Sequence, residues 1–408
     1  MLVVGTGIGQ IILFFFTAIL TRLYAPSVFG NISIFLTWAT FLAVVATFRY
    51  ELAIPIPKSE EEAYNLLSLA FLVNGIFALL LFIIYLLLPA EIFLRAGTGG
   101  FIKWIIFIPL SVFLIAGYQA MNYWIIRHKD FRILSFCRIA ESTVTGIVAV
   151  TLCKVSDEGL LAGYLAGQLV ILLIPLMVYA RQLKKDFSHV SLPSIKMVAK
   201  KFSQFPRINI LQTFSDLFQF LGIILIGSMF YPPEVIGFYS LCIRVLQAPM
   251  TLLVRPLANV YYSEASTLLK ENKSLKPLTM KTAMNAAMIG VPIVLIFLTI
   301  GPWVFSTVFG SQWSISGSFA QVIVPWIFMD FIRSPISQLA LLTGRQKQML
   351  FWSLIGNVLM ILALAAGHFF YGDFKTMLLI VSIAQTIFLA FLIRWLFQQN
   401  NEIAISNG

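Results

Sequence analysis

Residues 63–87 decide the fold class, because they read AYNLLSLAFLVNGIFALLLFIIYLL without one charged side chain. A helix needs about 20 mostly apolar residues to cross the hydrocarbon core of a bilayer, and this run is long enough. Similar runs recur along the whole chain. Helices satisfy every backbone hydrogen bond within one segment, as lipid requires. The sequence therefore predicts an integral membrane protein.

The composition supports this class. Of the 408 residues, 59% are apolar and only 11% are charged, with a mean hydropathy of +0.91, whereas ordinary soluble domains are about 25% charged. The net charge of +11 would suggest nucleic acid as a partner in a soluble protein. In a membrane protein it fits basic loops instead, so nucleic acid is not an expected partner. The cysteines, Cys137, Cys153 and Cys242, lack CxxC spacing and predict neither a disulfide framework nor a zinc site.

Twelve apolar runs predict an all-α integral membrane protein with about twelve transmembrane helices. The predicted spans are 2–20, 31–48, 63–87, 104–120, 133–153, 160–179, 208–230, 237–257, 283–304, 319–341, 350–370 and 376–396. Loops after odd-numbered spans carry five Lys and Arg residues, and loops after even-numbered spans carry eighteen. Because positive loops stay in the cytoplasm, both termini are expected there.

A basic segment divides the chain into two halves. It covers residues 181–206 and separates an N-terminal lobe, 1–180, from a C-terminal lobe, 207–408. Ile195, Val198 and Phe202 are spaced at i, i+3 and i+7 within it, which favours an amphipathic helix lying on the membrane surface. The alternative is a plain cytoplasmic linker.

An internal repeat points to the same division. The first loop reads YAPSVFG at 24–30, the seventh reads YPPEVIG at 231–237, and each is followed by a serine, Ser33 and Ser240. A weaker echo relates RHK at 127–129 to RQK at 345–347. The pattern predicts two six-helix lobes, related as parallel repeats around a central cavity, an arrangement common in transporters.

Motifs for catalysis are absent from the sequence. It contains no GxxxxGK[ST] phosphate loop, no HExxH, no GxSxG and no metal-ligand cluster, and the predicted extracytoplasmic loops are short. An enzyme is therefore the weaker hypothesis, and neither a cofactor nor a bound metal is expected.

Charged residues inside the spans are the candidate functional residues, because they are costly in lipid and usually face protein or an aqueous cavity. Arg138 and Glu141, and likewise Asp330 and Arg333, are three residues apart on one helix face. Asp216 lies near the middle of span seven, with no basic residue within four positions along the sequence.

Two interpretations of these charges stay open. One is a cationic cavity for an anionic cargo such as a diphosphate, since the planar guanidinium suits phosphate; the other is an internal ion-pair network, with some arginines snorkelling to headgroups. On the first, the substrate-binding candidates are Arg22, Arg49, Arg138, Arg244, Arg255 and Arg333, and the coupling or gating candidates are Glu51, Glu141, Asp216 and Asp330.

An ordered set of short motifs resembles the bacterial polysaccharide (O-antigen type) flippases of the multidrug/oligosaccharidyl-lipid/polysaccharide exporter superfamily. The motifs are LTRLY at 20–24, RYELAI at 49–54, FPR at 205–207, GFYS at 237–240, RVL at 244–246 with Pro249, FG at 309–310 with Trp313, and GRQK at 344–347. They extend over nearly the full chain.

The resemblance implies a flippase of the bacterial inner membrane. Its cargo would be an undecaprenyl-diphosphate-linked oligosaccharide for O-antigen (lipopolysaccharide), capsule or exopolysaccharide synthesis, moved by alternating access and driven by H+ or Na+. Polysaccharide polymerase and chain-length proteins are the implied partners, beside membrane lipids. Arg22 and Arg49 match positions where related lipid II flippases have cavity arginines. The alternatives are a lipid II flippase, a multidrug exporter, or a membrane-embedded glycan-assembly enzyme or scaffold.

Overall fold

The computed structural model describes residues 2–89, 99–186, 190–271 and 273–406, and the regular structure in those ranges is helical throughout. The first nine helices are α1 (Leu2–Leu23), α2 (Pro26–Ala46), α3 (Glu60–Leu87), α4 (Ile108–Arg127), α5 (Phe131–Leu152), α6 (Gly159–Val178), α7 (Ala180–Asp186), α8 (Leu192–Lys201) and α9 (Gln204–Phe230). The others are α10 (Pro233–Pro249), α11 (Arg255–Lys270), α12 (Lys276–Phe309), α13 (Ser314–Ile336), α14 (Gln338–Leu342), α15 (Gln346–Tyr371) and α16 (Phe374–Ser406).

The predicted membrane spans coincide with long helices. Within the described ranges, eleven helical segments are long and apolar enough to cross a bilayer, and they match predicted spans two to twelve. The first predicted span falls in α1, whose side chains are described from Gly7 onward and whose apolar stretch Gly7–Leu23 is shorter. The all-α membrane fold is thus confirmed.

The chain divides into two compact units, Met1–Gly237 and Phe238–Gly408. The first unit includes α9, which packs against α2, although the sequence assigned α9 to the C-terminal lobe. The two compact units have other bounds than the predicted six-helix lobes, 1–180 and 207–408, and those lobes stay a prediction.

The first unit is built around α4 and α5. Helix α4 packs against α2, α3 and α6, and α5 packs against α1 and α6. Trp124 of α4 is fully buried in the core beside Tyr64 of α3. These contacts fix the face of α5 that carries Arg138 and Glu141 against α4 and α6.

The basic segment forms the amphipathic helix α8, but its apolar face has a different partner from the predicted one. Ile195, Val198 and Phe202 are buried in the core of the first unit, where α8 packs on α3, so the prediction that this face lies on lipid is wrong. Amphipathic periodicity identifies an apolar stripe, and either lipid or protein can cover such a stripe. Leu192 and Met197 are the apolar residues that α8 leaves exposed.

In the second unit, α12 bends where Ile300 leaves helical geometry, just before Pro302. Proline has no N–H for the carbonyl four residues earlier, and the Gln321 side chain of α13 donates to that carbonyl, Leu298 O, at 2.9 Å. The bent helix packs closely on α13 through Gly301 and Gly317.

The two loops of the predicted repeat contact each other inside the first unit. A Cβ atom at Gly30 would overlap the carbonyl oxygen of Pro233, and a Cβ atom at Gly237 would overlap the carbonyl oxygen of Pro26. Both segments begin a helix with proline in the first turn, where its missing N–H costs nothing. Reciprocal contacts of this kind are what a pseudo-twofold relation between the loops produces.

Candidate functional site

Arg49 and Glu51 form an ion pair at a sharp break after α2. Phe48 and Arg49 both adopt left-handed backbone conformations, with φ of 48° and 61°, and a short 3-10 helix, Tyr50–Ala53, follows. The turn returns Glu51 to the end of α2, where it accepts a hydrogen bond from Thr47 Oγ1 at 2.5 Å. Arg49 Nη1 lies 2.9 Å from Glu51 Oε1. Such conformations cost about 1–3 kcal/mol each and cluster at functional sites.

Glu51 is fully buried, and Arg49 is 14% exposed. Burial raises the pKa of the Glu51 carboxyl above its ordinary value, although Arg49 and the Thr47 hydroxyl both act to lower it. The adjacent Tyr50 donates its hydroxyl to Ala199 O of α8 at 3.2 Å. The break is therefore tied to α8. Arg49 Nε and Glu51 Oε1 are buried, and among the described residues they have no hydrogen-bond partner.

Arg138 and Glu141 form a second pair, on one face of α5. Arg138 Nη1 donates to Glu141 Oε2 at 3.1 Å, as the i, i+3 spacing predicts. The other carboxylate oxygen, Oε1, accepts a 2.8 Å hydrogen bond from Gln168 Nε2 of α6. The guanidinium carbon lies 5.1 Å from the centroid of the Tyr118 ring on α4, within cation–π range.

Asp330 and Arg333 form the third pair, on α13 in the second unit. Asp330 Oδ1 accepts hydrogen bonds from Arg333 Nε at 2.9 Å and Nη2 at 2.6 Å. Asp330 is buried and Arg333 is 15% exposed. Three N–H donors of this guanidinium remain, but its low exposure leaves little open surface for a ligand.

The other candidates have more open positions. Arg22 is exposed in the last turn of α1, Asp216 is exposed on α9, and Arg244 is exposed on α10 between buried neighbours. Arg244 has no ion-pair partner among the described residues. The side chain of Arg255, the first residue of α11, lies outside the described side chains.

The structure thus pairs three candidate arginines with the acids nearest to them in sequence, and a common cavity that gathers all six arginines stays a prediction. Sequence reasoning missed Thr47, Tyr118 and Gln168, which contact the paired charges. Gln168 had a signal, since a lone amide inside the apolar run 160–179 is uncommon in a transmembrane helix. Thr47 and Tyr118 had none.

Arg127 has a structural role that the sequence did not indicate. It donates to the carbonyl oxygens of Ile54 at 3.3 Å and Pro57 at 2.6 Å, and it forms an ion pair with Glu60 at 2.9 Å. These bonds fix the loop between the 3-10 helix and α3 to the end of α4. Among the described residues, no three His, Cys, Asp or Glu side chains are grouped as metal ligands would be.

Comparison with known proteins gives one family. The model of a family described as "Polysaccharide biosynthesis protein" matches residues 19–317, which is well over half of the chain. No curated protein matches the sequence.

Several solved structures share the fold. The inward-facing conformation of a multidrug resistance MATE family transporter of the MOP superfamily aligns with a TM-score of 0.73 at 13% identity, over 97% of this chain and 95% of that chain. The lipid II flippase MurJ, in its inward closed conformation, aligns with a TM-score of 0.73 at 13% identity, over 100% and 90%. A MOP superfamily transporter from Pyrococcus furiosus, whose binding pocket is described as having reverse polarity, aligns with a TM-score of 0.57 at 13% identity, over 98% and 95%. At these identities the likeness concerns the fold alone.

Proposed function

The chain belongs to the polysaccharide biosynthesis protein family and has the fold of MOP-superfamily transporters, and from this premise we propose that it flips an undecaprenyl-diphosphate-linked oligosaccharide from the cytoplasmic to the periplasmic leaflet. The product would serve O-antigen, capsule or exopolysaccharide synthesis. The observation that carries the proposal is the set of arginines embedded in apolar helices, above all Arg138 on α5 with half of its side chain exposed.

An anionic cargo explains why arginines are present there. A diphosphate that crosses a low-dielectric region without a counter-charge faces a barrier of many kcal/mol, and guanidinium groups lower it while offering planar pairs of N–H donors to phosphate oxygens. A cationic drug would favour acidic residues instead. Among the candidates of the described ranges, the exposed arginines are Arg22, Arg138 and Arg244. Of the acids, Glu51 and Asp330 are buried and paired, and Asp216 is exposed.

Transport without chemical change is the central expectation. Purified protein in vesicles should move a fluorescent undecaprenyl-diphosphate oligosaccharide to the opposite leaflet, and mass spectrometry should find the lipid-linked glycan unaltered. Efflux of a cationic dye without movement of the glycolipid would favour a drug exporter. A lengthened or cleaved glycan would favour an enzyme.

The arginine candidates can be tested at Arg244, where substitution breaks no ion pair among the described residues. We expect Arg244→Gln to slow flipping about tenfold or more, because a cationic contact to the diphosphate is lost. If charge alone matters, Arg244→Lys should keep most activity; if the planar fork matters, both variants should fail.

The matched control is Arg394→Gln. Arg394 is an exposed arginine of α16, and we interpret it as snorkelling to the cytoplasmic headgroups, so this variant should flip at the wild-type rate. Arg49 is tested in the double variant Arg49→Gln/Glu51→Gln, because changing Arg49 alone would leave the buried Glu51 carboxylate without its counter-charge. Normal flipping by the folded Arg244→Gln variant would remove Arg244 from the site.

We further propose that both termini lie in the cytoplasm of a bacterial inner membrane. Two exposed loop serines, Ser156 and Ser274, test the orientation. They are a matched pair, because each side chain accepts a hydrogen bond from the backbone N–H two residues later, that of Glu158 and that of Lys276. In a variant without the three native cysteines, Ser156→Cys should react with an impermeant maleimide from the periplasm. Ser274→Cys should react only after the membrane is opened, and the reverse pattern would invert the topology.

A further inference from the structure

Arg138 differs from the other two ion-paired arginines in the exposed fraction of its side chain and in the number of donors that its ion pair leaves unused. Its side chain is 46% exposed, whereas Arg49 and Arg333 are 14% and 15% exposed. Among the described residues, its hydrogen bond to Glu141 uses Nη1 alone. Nε and Nη2 therefore remain available as donors, with no hydrogen-bond partner among the described residues.

We infer an aqueous environment for the exposed part of this guanidinium. Arg138 lies about 10 Å along α5 from its first residue, at 1.5 Å per residue, within a segment long and apolar enough to span the membrane. An arginine head exposed to hydrocarbon inside such a segment is costly and rare. The Tyr118 ring and Glu141 cover the other sides of the group, so an aqueous cavity is the environment that fits the exposed fraction.

Glu141 neutralises Arg138 and is itself held in place. Its two carboxylate oxygens have different partners, Arg138 on Oε2 and Gln168 on Oε1. Because Gln168 belongs to α6 and Arg138 to α5, the carboxylate is anchored from a second helix and stays at the site when Arg138 turns to a ligand. Glu141 is 18% exposed, so an incoming anion meets the guanidinium before it meets the carboxylate.

We propose that Glu141 is the resident counter-ion of Arg138: it competes with a bound anion for the guanidinium, and so it weakens anion binding and promotes release. This inference rests on the proposed function. A headgroup with a single charge, such as phosphatidylglycerol, gains little by replacing Glu141, because one anion is exchanged for another. A diphosphate brings more charge and more acceptor oxygens and can displace it. After transport, Glu141 competes again for Arg138 and promotes release.

Binding to purified protein in detergent tests this, with farnesyl diphosphate and a short-chain phosphatidylglycerol as probes. Wild type should prefer the diphosphate. In Glu141→Gln the affinity for phosphatidylglycerol should rise about fivefold, the size expected for one partly exposed ion pair. The affinity for the diphosphate should rise at least as much, because both probes displace the same carboxylate and the more highly charged one is repelled more by it. Loss of packing alone would weaken the binding of both probes.

Three further variants test whether the effect depends on Arg138 and on the neutral side chain at position 141. In the double variant Arg138→Gln/Glu141→Gln the gain should disappear, because the guanidinium that the carboxylate blocked is absent. Glu62→Gln is the matched control, since Glu62, 23% exposed in the first turn of α3, pairs with Lys201, and both affinities should equal those of wild type. Glu141→Ala provides a second neutral side chain.

Unchanged or weaker binding in Glu141→Gln, or a gain that persists without Arg138, would overturn the proposal. So would a failure of both neutral variants to fold while Arg138→Gln folds, since Glu141 would then be a structural anchor. Flipping is measured separately in vesicles. Stronger probe binding by Glu141→Gln, with no glycolipid flipping by the wild type, would reject the proposed function alone. Flipping by the wild type, with unaltered probe affinities in Glu141→Gln, would reject this inference alone.

Discussion

Replacing Gly30 or Gly237 by valine should lower the melting temperature of the purified protein by about 5 °C or more and abolish flipping. In each case the new Cβ atom would overlap a backbone carbonyl oxygen, that of Pro233 for Gly30 and that of Pro26 for Gly237. A backbone atom cannot turn aside as a side chain does, so the starts of α2 and α10 must separate. Overpacking of this kind costs about 1–3 kcal/mol or more. Thermal unfolding in detergent and flipping in vesicles are the measurements.

Because the contact between the Gly30 and Gly237 loops is reciprocal, a double variant provides a second test. Because the two glycines share one close approach, the double variant should be little worse than either single variant, as coupled neighbours are not additive. Gly75→Ala is the control: a Cβ atom there meets nothing within 4 Å, and replacing a helical glycine should be neutral or stabilise by about 0.5–1 kcal/mol. A Gly30→Val variant with wild-type melting would show that the loops are not packed together in the membrane.

The helices were predictable because each transmembrane span is decided locally. An apolar run of sufficient length must form a helix in lipid whatever its neighbours are, and runs two to twelve coincide with helices. The pairs Arg138–Glu141 and Asp330–Arg333 were predictable for the same reason, since i, i+3 spacing places two side chains on one face.

Contacts between distant parts of the chain were not predictable. Gln168 reaches Glu141 across 27 positions in sequence, and no pattern in span six indicates which helix lies beside it. The apolar stripe of α8 was recognised, yet its partner α3 was not. An apolar stripe indicates only that this face of the helix is shielded from water, and either lipid or another helix can shield it. Arg127 had the character of an ordinary basic loop residue until the loop carbonyls around it were known.

The three ion pairs also divide the candidate site by exposure. Arg49 and Arg333 are 14% and 15% exposed, whereas Arg138 is 46% exposed. Sequence spacing predicted an acid on the same helix face for Arg138 and Arg333 alike, and it did not separate them by exposure. Exposure depends on how neighbouring helices cover each guanidinium, so only the packing of the helices determines it. It distinguishes an arginine that can contact a ligand from one whose role is to stabilise its helix.

Asp330→Asn should destabilise the second unit strongly, by about 3–5 kcal/mol, because it leaves the guanidinium of Arg333 mostly buried without its counter-charge. Arg333 donates two hydrogen bonds to one oxygen of Asp330, and an asparagine keeps an acceptor but not the charge. We expect a lower melting temperature in detergent and a low yield of folded protein. The double variant Asp330→Leu/Arg333→Met should recover most of the stability, since apolar side chains of similar size often replace a buried pair at no cost.

The double variant then separates structure from function at this pair. If Asp330 takes part in coupling or gating, as its position inside a membrane span predicts, the folded double variant should bind the diphosphate probe and yet fail to flip the glycolipid. Arg138→Gln serves as the opposite control, because it should weaken binding itself. Wild-type flipping by the double variant would leave Asp330 and Arg333 as a brace within α13, and wild-type melting of Asp330→Asn would mean that the guanidinium of Arg333 reaches water after all.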